Sequence, residues 1–303
     1  MISAYIESYK NGLLEKKIDL AYKRLESCDL CPRSCKVNRE QGEIGYCNAP
    51  YDPVVSNYFP HFGEEKILVG EYGSGTIFFT YCNLGCIFCQ NYTISHLGIG
   101  KRISIEDLAN IMIYLQKLGC HNINFVTPTH FVPQILKALY VATENALNIP
   151  LVYNTSGYEN IETLKILEGI IDIYMPDIKF YSSEISKKLA NADDYFEKTK
   201  AAVKEMYRQV GSLVLNEKGI AEKGLIIRHL LLPNNFSGLL NWLTFLRDEV
   251  SLDVSLHIMG QYRPLYRAEE EPLINRSITS KEYEEAILLA KKMGFTHIYR
   301  INS

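Results

Sequence analysis

Short apolar runs alternate with amphipathic stretches along most of the chain after residue 74. Six of these runs have the length and composition of buried strands, at residues 77–81, 122–126, 150–154, 171–176, 225–232 and 254–259. Stretches of helical periodicity separate them, near residues 105–118, 131–147, 160–168, 184–212 and 237–250. Consecutive β/α units predict an α/β fold, a parallel sheet closed partly into a (β/α)6 barrel.

The first 74 residues follow another pattern. Apolar positions at helical spacing predict one amphipathic helix over residues 4–26, and residues 27–74 contain four cysteines and little periodicity. We therefore expect an N-terminal helix and a small Cys-rich metal-binding module in residues 1–74, followed by the barrel in residues 75–303. A final helix near 280–293 and a strand at 296–301 are also predicted.

Polar residues follow the predicted strands, where a parallel α/β fold places its ligand site. Asn154, Ser156 and Gly157 end the third strand. Asp177 and Lys179 follow the fourth, and their spacing points both side chains the same way. Either these groups bind a ligand, or they form a polar turn and an internal salt bridge.

Arg228 lies inside the apolar run 225–232, where an unpaired charge is costly to bury. It therefore requires an anion, which is either a ligand carboxylate or a carboxylate of the chain, Asp177 or Glu159. His229 alternates to the opposite face and is expected to be a core residue. The charges of residues 60–65 face either the active site or solvent.

Cys82, Cys86 and Cys89 come directly after the first predicted strand, with the spacing C-x3-C-x2-C. Three thiolates can bind three irons of a 4Fe-4S cluster and leave the fourth iron open to another ligand. A zinc site would need a fourth protein ligand, and nothing about the nearest histidine, His96, favours that role.

Four further cysteines, Cys28, Cys31, Cys35 and Cys47, have the spacing C-x2-C-x3-C-x11-C. Four thiolates complete either a tetrahedral zinc site or a second iron-sulfur cluster, and the spacing does not choose between them. A bound metal would explain how a loop-rich module of this size is ordered. Cys120 stands alone and is expected to be a small buried apolar residue.

The cysteine loop, with the aromatic Phe88 before its last cysteine, resembles the signature of the radical S-adenosylmethionine (SAM) superfamily. The chain is similar, more closely, to the PflX-like branch of the pyruvate formate-lyase-activating enzyme family. The matching segments are CDLCPR at 28–33, GTIFF at 75–79, FCQN at 88–91, NTSGY at 154–158, PDIKF at 176–180, RHL at 228–230 and MGQY at 259–262.

This resemblance implies an oxidoreductase in which SAM chelates the open iron of the cluster. Reductive cleavage then gives methionine and a 5'-deoxyadenosyl radical, which abstracts hydrogen from a substrate. The implied SAM contacts are Asn154, Ser156, Gly157, Asp177, Lys179 and Arg228. Many activating enzymes carry Gly-Gly-Glu after the second strand. Here Thr127, Thr129 and His130 stand in that region and are expected to take over its SAM contacts, with the alternative that His130 begins the next helix.

The resemblance also implies a reducing partner such as flavodoxin or ferredoxin. The substrate is expected to be a glycine of a partner enzyme, and the alternatives are a small molecule or another protein. A non-catalytic iron-sulfur electron-transfer or metal-binding protein is the remaining hypothesis.

Composition narrows the partners further. The net charge is -3 over 303 residues, and no long run of Lys or Arg suggests a nucleic-acid surface. No apolar stretch approaches the ~18 residues needed to span a bilayer, and the first residues do not resemble a signal peptide. We expect a cytoplasmic protein that binds neither nucleic acid nor membrane.

Overall fold

A ten-stranded sheet forms the centre of the molecule in the computed structural model, which describes residues 2–299. The strands are β1 (Val54–His61), β2 (Ser74–Phe79), β3 (Lys101–Arg102), β4 (Ile123–Val126), β5 (Leu151–Thr155), β6 (Ile173–Ile178), β7 (Val214–Leu215), β8 (Ala221–Leu230), β9 (Ser255–Met259) and β10 (Ile298–Tyr299).

Six of these strands confirm the predicted parallel sheet. β2, β4, β5, β6, β8 and β9 lie side by side in chain order, and every neighbouring pair is parallel. Their register brings Asp177 of β6 opposite Arg228 of β8, and Arg228 opposite His257 of β9. The result is an α/β fold consistent with a partial barrel, with the carboxyl ends of the strands at one end.

The helices connect these strands and cover the sheet. They are α1 (Ala4–Lys10), α2 (Leu13–Lys23), α3 (Lys66–Val69), α4 (Tyr92–Ser95), α5 (Ile105–Lys117), α6 (Val132–Glu144), α7 (Ile161–Leu167), α8 (Ser183–Ala190), α9 (Tyr195–Val210), α10 (Leu239–Phe245) and α11 (Ser280–Lys292). Ser104 is the N-cap residue of α5 and forms a capping box, in which its side chain and that of Asp107 exchange hydrogen bonds with the backbone.

Two predicted helices are each divided in the structure. The prediction of a single helix over residues 4–26 is wrong, because Gly12 adopts a left-handed φ of 72° and separates α1 from α2. The segment 184–212 likewise forms α8 and α9. Asn191 ends α8 with a φ of 50°, a conformation that Asn tolerates better than most residues.

β1 is a strand that the sequence pattern did not predict. It pairs antiparallel with β2 on one side and with β3 on the other, and its register shifts between Val55 and Asn57. This irregularity and Pro60 obscure the alternation that marks a strand. The division of the chain at residue 74 stays a prediction, although β1 precedes that boundary and pairs with β2 after it.

Inward side chains change from apolar to polar along the strands. Val152, Met175 and Ile226 join Ile67 and Leu68 of α3 in a small buried cluster. Two positions further along each strand, on the same face, come Asn154, Asp177 and Arg228. Buried apolar side chains therefore come first along these three strands, and polar side chains follow them toward the carboxyl ends.

The sequence also predicted two buried core residues, His229 and Cys120, and a last strand. His229 is fully buried and Cys120 is 2% exposed, which confirms both as core residues. Of the strand predicted at 296–301, Ile298–Tyr299 forms β10, residues 296 and 297 precede it without strand structure, and residues 300 and 301 lie outside the described part of the chain. Between residues 2 and 299, none of the helices is long and apolar enough to cross a membrane.

Candidate metal and cofactor site

A cavity of about 450 Å³ opens at the carboxyl ends of the parallel strands, and a volume of this size is ordinary for a small-molecule site. Most of the residues predicted for the site line it together. They are Cys82, Cys86, Cys89, Thr127, Asn154, Ser156, Asp177, Lys179 and Arg228. The end of β9 and the residues after it contribute Met259, Gln261 and Tyr262 of the MGQY segment.

The three cysteines occupy a tight loop after β2. Gly85, with a φ of 76°, allows the turn between the first two cysteines. The Leu84 amide donates to Cys82 Sγ at 3.4 Å, and Cys89 Sγ lies 3.1 Å from Ser95 Oγ. Burial raises the pKa of the Cys86 and Cys89 thiols, so both favour the neutral form unless a cation binds them.

The donor set fits a cluster with one open iron. Three thiols line one cavity, and none of the other cysteines in residues 2–299 lines it. No group of three or more His, Cys, Asp or Glu side chains in those residues is arranged to hold a metal ion. In a cubane cluster each thiolate binds a different iron, so its sulfurs need not converge on one point.

Asn83 connects the cysteine loop to the turn after β5. Its side chain is fully buried, and its amide nitrogen donates to the Tyr158 carbonyl at 2.7 Å. Ser156 Oγ donates to its amide oxygen at 3.4 Å. The loop is therefore fixed against the segment that carries the predicted Asn154, Ser156 and Gly157.

Aromatic rings close the other side of the loop. Phe88 packs edge-on against Phe180 and Tyr262, with ring centroids 5.9 and 5.6 Å apart. The Gln90 side chain donates to the Gln261 carbonyl at 3.1 Å. These contacts shield the cysteines with the segment that follows β9.

Arg228 finds its anions within the chain. Its Nε donates to Asp177 Oδ1 at 2.7 Å, Nη1 to Glu64 Oε2 at 3.1 Å and Nη2 to Asn154 Oδ1 at 2.7 Å. Burial opposes the charge of Arg228, but Asp177, Glu65 and Glu64 overcome that effect and raise its pKa. The internal pairing with Asp177 is confirmed, and the pairing with Glu159 is wrong.

Glu159 instead accepts hydrogen bonds from Thr129, Thr155 and Tyr153. Burial raises its pKa to about 7, although the three donors oppose that shift. The geometry explains the difference from expectation: Glu159 lies beyond the turn after β5, whereas Asp177 stands opposite Arg228 on the neighbouring strand.

Asp177 and Lys179 form the charged pair that their spacing predicted. Lys179 Nζ donates to Asp177 Oδ2 at 2.7 Å, and both line the cavity. Burial works against the Asp177 charge, but Arg228 and Lys179 hold the pKa of this carboxyl below its usual value. Each Asp177 oxygen thus accepts from a different cation.

Glu64 is a cavity residue that the sequence did not assign. It follows β1, its side chain is 9% exposed, and burial raises its pKa to about 7 while Arg228 opposes the shift. Beside it, Glu65 Oε1 lies 2.6 Å from His257 Nδ1, and both side chains are buried. In the sequence, the adjacent acidic residues Glu64 and Glu65 were the only sign of this role, and an acidic pair is equally common on an exposed surface.

Two predicted contacts do not line the cavity. Gly157 has a φ of 79°, and a Cβ there would lie 2.6 Å from the Asp177 carbonyl oxygen, so this glycine allows the turn after β5 to lie close to β6. His130 is 2% exposed, and its Nε2 is 2.8 Å from the Thr80 carbonyl oxygen. Burial lowers the His130 pKa to about 3, which keeps the ring neutral.

The four N-terminal cysteines line one small cavity of about 10 Å³, together with His130, Arg33 and Arg39. The Tyr46 amide donates to Cys35 Sγ at 3.3 Å. The folding of the segment thus gathers the four sulfurs. Their metal is not confirmed, because the described residues hold no group arranged for a metal ion.

Fold and site together define an α/β protein that presents three thiols and a polar pocket at the carboxyl ends of its strands. Residues 76–217 match the family model described as the Radical SAM superfamily. The uncharacterised protein MJ0674 of Methanocaldococcus jannaschii is 33% identical, over 97% of this chain and 83% of that protein. MJ0808 of the same organism is 26% identical over 90% and 80%.

Among solved structures, HydG, a maturase of the FeFe-hydrogenase, matches with a TM-score of 0.50 and 14% identity. The match covers 74% of this chain but spans only half of the HydG chain, at 50%, so it supports the fold alone. The chain belongs to the radical SAM superfamily, and membership implies SAM cleavage at an iron-sulfur cluster. The comparisons do not confirm the PflX-like branch.

Proposed function

We propose that the chain is an enzyme that cleaves SAM in the 450 Å³ cavity and uses the resulting radical to abstract hydrogen from a substrate. The observation that carries this proposal is that the three cysteines and six polar residues predicted from strand ends line one cavity. A merely structural metal would need neither the volume nor the polar lining.

Cys82, Cys86 and Cys89 are the proposed ligands of a 4Fe-4S cluster. When bound and reduced, this cluster supplies the electron that splits SAM into methionine and a 5'-deoxyadenosyl radical. The electron comes from a reductant such as flavodoxin or ferredoxin. Hydrogen abstraction then converts the radical to 5'-deoxyadenosine and leaves the unpaired electron on the substrate.

The residues around the cysteines are proposed to bind and orient SAM. Asn154, Ser156 and Thr127 offer hydrogen-bonding groups at the strand ends, and Lys179 offers a cation. The proposed role of Asp177 and Arg228 is to fix these groups, because Arg228 holds both Asp177 and Asn154. We retain Gly157 as a backbone contact and propose no contact for His130.

For the substrate we propose first a glycine of a partner enzyme, as in glycyl-radical activation. The support is the set of activating-enzyme-like segments, several of which meet at the cavity: residues 88–91, 154–158, 176–180 and 259–262. Radical modification of a small molecule or another protein is the alternative. Electron paramagnetic resonance of candidate partners after turnover distinguishes them, since only the first leaves a stable glycyl radical on the partner.

The cysteines at residues 28–47 are proposed to bind zinc or a second iron-sulfur cluster. Their support is that the four sulfurs line one cavity. Metal analysis of a variant with Cys82, Cys86 and Cys89 all replaced by Ala tests this, because iron or zinc that this variant retains cannot be bound by the first group. We also propose that the protein is located in the cytoplasm, a reducing compartment, because all of these cysteines must stay reduced to bind metal.

The direct test is formation of 5'-deoxyadenosine by the reconstituted, reduced protein in the presence of SAM. We expect formation by the wild-type chain and none by Cys86→Ala, with Cys120→Ala as the matched control because Cys120 lies away from the cavity. A fully loaded wild-type protein that releases no 5'-deoxyadenosine would contradict the proposal, and would leave a non-catalytic iron-sulfur protein as the function.

A further inference from the structure

Arg33, in the N-terminal cysteine segment, contacts the loop that carries the three cavity cysteines. Its Nε donates to the Asn83 carbonyl at 2.9 Å, and its Nη2 donates to the Leu84 carbonyl at 2.9 Å. Both acceptors lie between Cys82 and Cys86. One side chain that is distant in sequence therefore holds the backbone between the first two of the cavity cysteines.

The same guanidinium also holds the end of α8. Nη2 donates to the Ala190 carbonyl at 2.9 Å, and Nη1 donates to the Asn191 carbonyl. These carbonyls lack helical partners at a helix terminus, where a cation is favourable. Next to them, the Ile87 amide donates to the Leu189 carbonyl at 2.9 Å. Arg33 thus joins the cysteine loop and α8 at the point where they already meet.

Aromatic rings fix the guanidinium in place. Its central carbon lies 3.8 Å from the centroid of the Tyr46 ring and 5.2 Å from that of Tyr158. Tyr46 lies beside Cys47, and Tyr158 follows the turn after β5. A planar guanidinium can stack and donate several fixed hydrogen bonds at once, whereas the ammonium of Lys cannot reproduce this arrangement.

We propose that Arg33 is a positioning residue for the cysteine loop, through which the N-terminal segment fixes the backbone between Cys82 and Cys86 before iron binds. The proposal rests on the assignment of Cys82, Cys86 and Cys89 as the cluster ligands. Arg33 does not line the 450 Å³ cavity and acts on it only through the loop, and it shares with Arg39 a place in the lining of the small cavity of the N-terminal cysteines. Its effect is therefore visible in the iron-free protein as the mobility of residues 82–89.

Arg39 provides a matched control. It lies in the same segment, is 1% exposed, and donates to the carbonyls of His130 at 2.7 Å and Pro50 at 2.5 Å. Neither acceptor belongs to the cysteine loop. Arg33→Lys and Arg39→Lys thus both disturb the N-terminal segment, but only the first loses direct hydrogen bonds to the loop.

The test is hydrogen exchange of the iron-free protein, followed in the peptide that contains the Ile87 amide. We expect exchange at least about tenfold faster in Arg33→Lys than in wild type, because several hydrogen bonds between the loop and its neighbours are lost. Exchange in Arg39→Lys should match wild type in this peptide. Equal rates in Arg33→Lys and wild type, or equal acceleration in both variants, would overturn the proposal.

A second readout follows reconstitution with iron. Arg33→Lys should bind less iron per chain and give an altered electron paramagnetic resonance spectrum of the reduced cluster, whereas Arg39→Lys should keep the wild-type spectrum. The exchange experiment needs no SAM, so a failure of SAM cleavage leaves its outcome unchanged. The two failures are therefore distinguishable.

Tyr46→Leu tests the same proposal if Arg33→Lys does not fold. Tyr46 is 38% exposed, so its replacement removes the ring that stacks on Arg33 without opening the core. Exchange of the Ile87 peptide should still accelerate. Tyr46→Phe keeps the ring and removes only the 3.4 Å hydrogen bond from its hydroxyl to the Leu84 carbonyl, so it should resemble wild type. An unchanged rate in Tyr46→Leu would count against the role of Arg33.

Discussion

Arg228 shows which partners of a buried charge can be predicted from the sequence and which cannot. A charge within an apolar run predicts a buried anion, and two such anions, Asp177 and Glu64, are present. Asp177 was foreseeable because it ends the preceding parallel strand of the barrel. Glu64 was not foreseeable, because 164 residues separate it from Arg228 and because it follows β1, a strand that the sequence pattern did not predict.

Removing Arg228 should destabilise the fold strongly. Arg228→Met leaves Asp177 and Glu64 buried beside each other without their shared cation, and breaking a buried pair costs about 3–5 kcal/mol. Denaturant unfolding of the iron-free protein measures this loss. The control is Arg208→Met, because Arg208 is 54% exposed and pairs only at the surface, so its loss should be small. Similar losses in the two variants would contradict the structural role of the Arg228 network.

At the scale of elements, the strands were easier to predict than the helices and the connections. The six parallel strands are buried on both faces, so their apolar runs are continuous and plain in the sequence. The helix expected over residues 4–26 shows the opposite case, because its apolar period continues across Gly12 while its backbone does not. Periodicity reports which faces are buried and does not report whether the chain turns between them.

The turn after β5 gives a prediction at this scale. Gly157→Ala puts a Cβ within 2.6 Å of the Asp177 carbonyl oxygen and requires a left-handed φ of 79°. We expect a loss of about 1–3 kcal/mol in stability and weaker SAM binding, because β6 must move away from the turn.

Gly211→Ala is the matched control for this variant, since Gly211 has a φ of 69° and no atom lies within 4 Å of the added Cβ. Gly211→Ala therefore introduces the unfavourable positive φ of an alanine but no steric clash. Thermal unfolding compares the two variants, and calorimetric titration with SAM measures binding. Equal unfolding temperatures in the two variants would show that the approach of the turn to β6 is not tight.

For the whole molecule, the site was predictable where it follows the strand order and unpredictable elsewhere. Cys82, Asn154 and Lys179 were found because strand ends of a parallel sheet meet at one edge. His130 follows β4 by the same rule, yet its ring turns away from the cavity to the Thr80 carbonyl. Strand order therefore predicts which loops meet, while the direction of each side chain depends on packing.

Two buried carboxyls should make the stability of the whole protein depend on pH. Burial raises the pKa of Glu159 and of Asp172 to about 7, so the folded state holds protons that the unfolded state has lost. Stability from these groups is complete below their unfolded pKa values and is lost as pH rises toward about 7. We expect these two carboxyls to lower the unfolding temperature of the iron-free protein between about pH 5 and about pH 7, whereas His130 and His229, whose pKa values burial lowers, contribute the opposite trend.

Glu159→Gln tests the origin of that slope. The amide cannot ionise, so this variant should lose up to about 3 kcal/mol of the decline expected over that range, given 1.36 kcal/mol per pKa unit. Denaturant titrations at several pH values measure it. An unchanged slope in Glu159→Gln would assign the dependence to other groups.

The ion pair between Glu64 and Arg228 has a consequence for the evolution of this chain. Both partners lie outside residues 76–217, the part that matches the superfamily, whereas all three cavity cysteines lie inside it. Arg228 bonds Asp177 and Asn154, which lie inside that part, so a substitution in either flank can loosen two polar groups of the cavity without changing a residue of the cysteine loop.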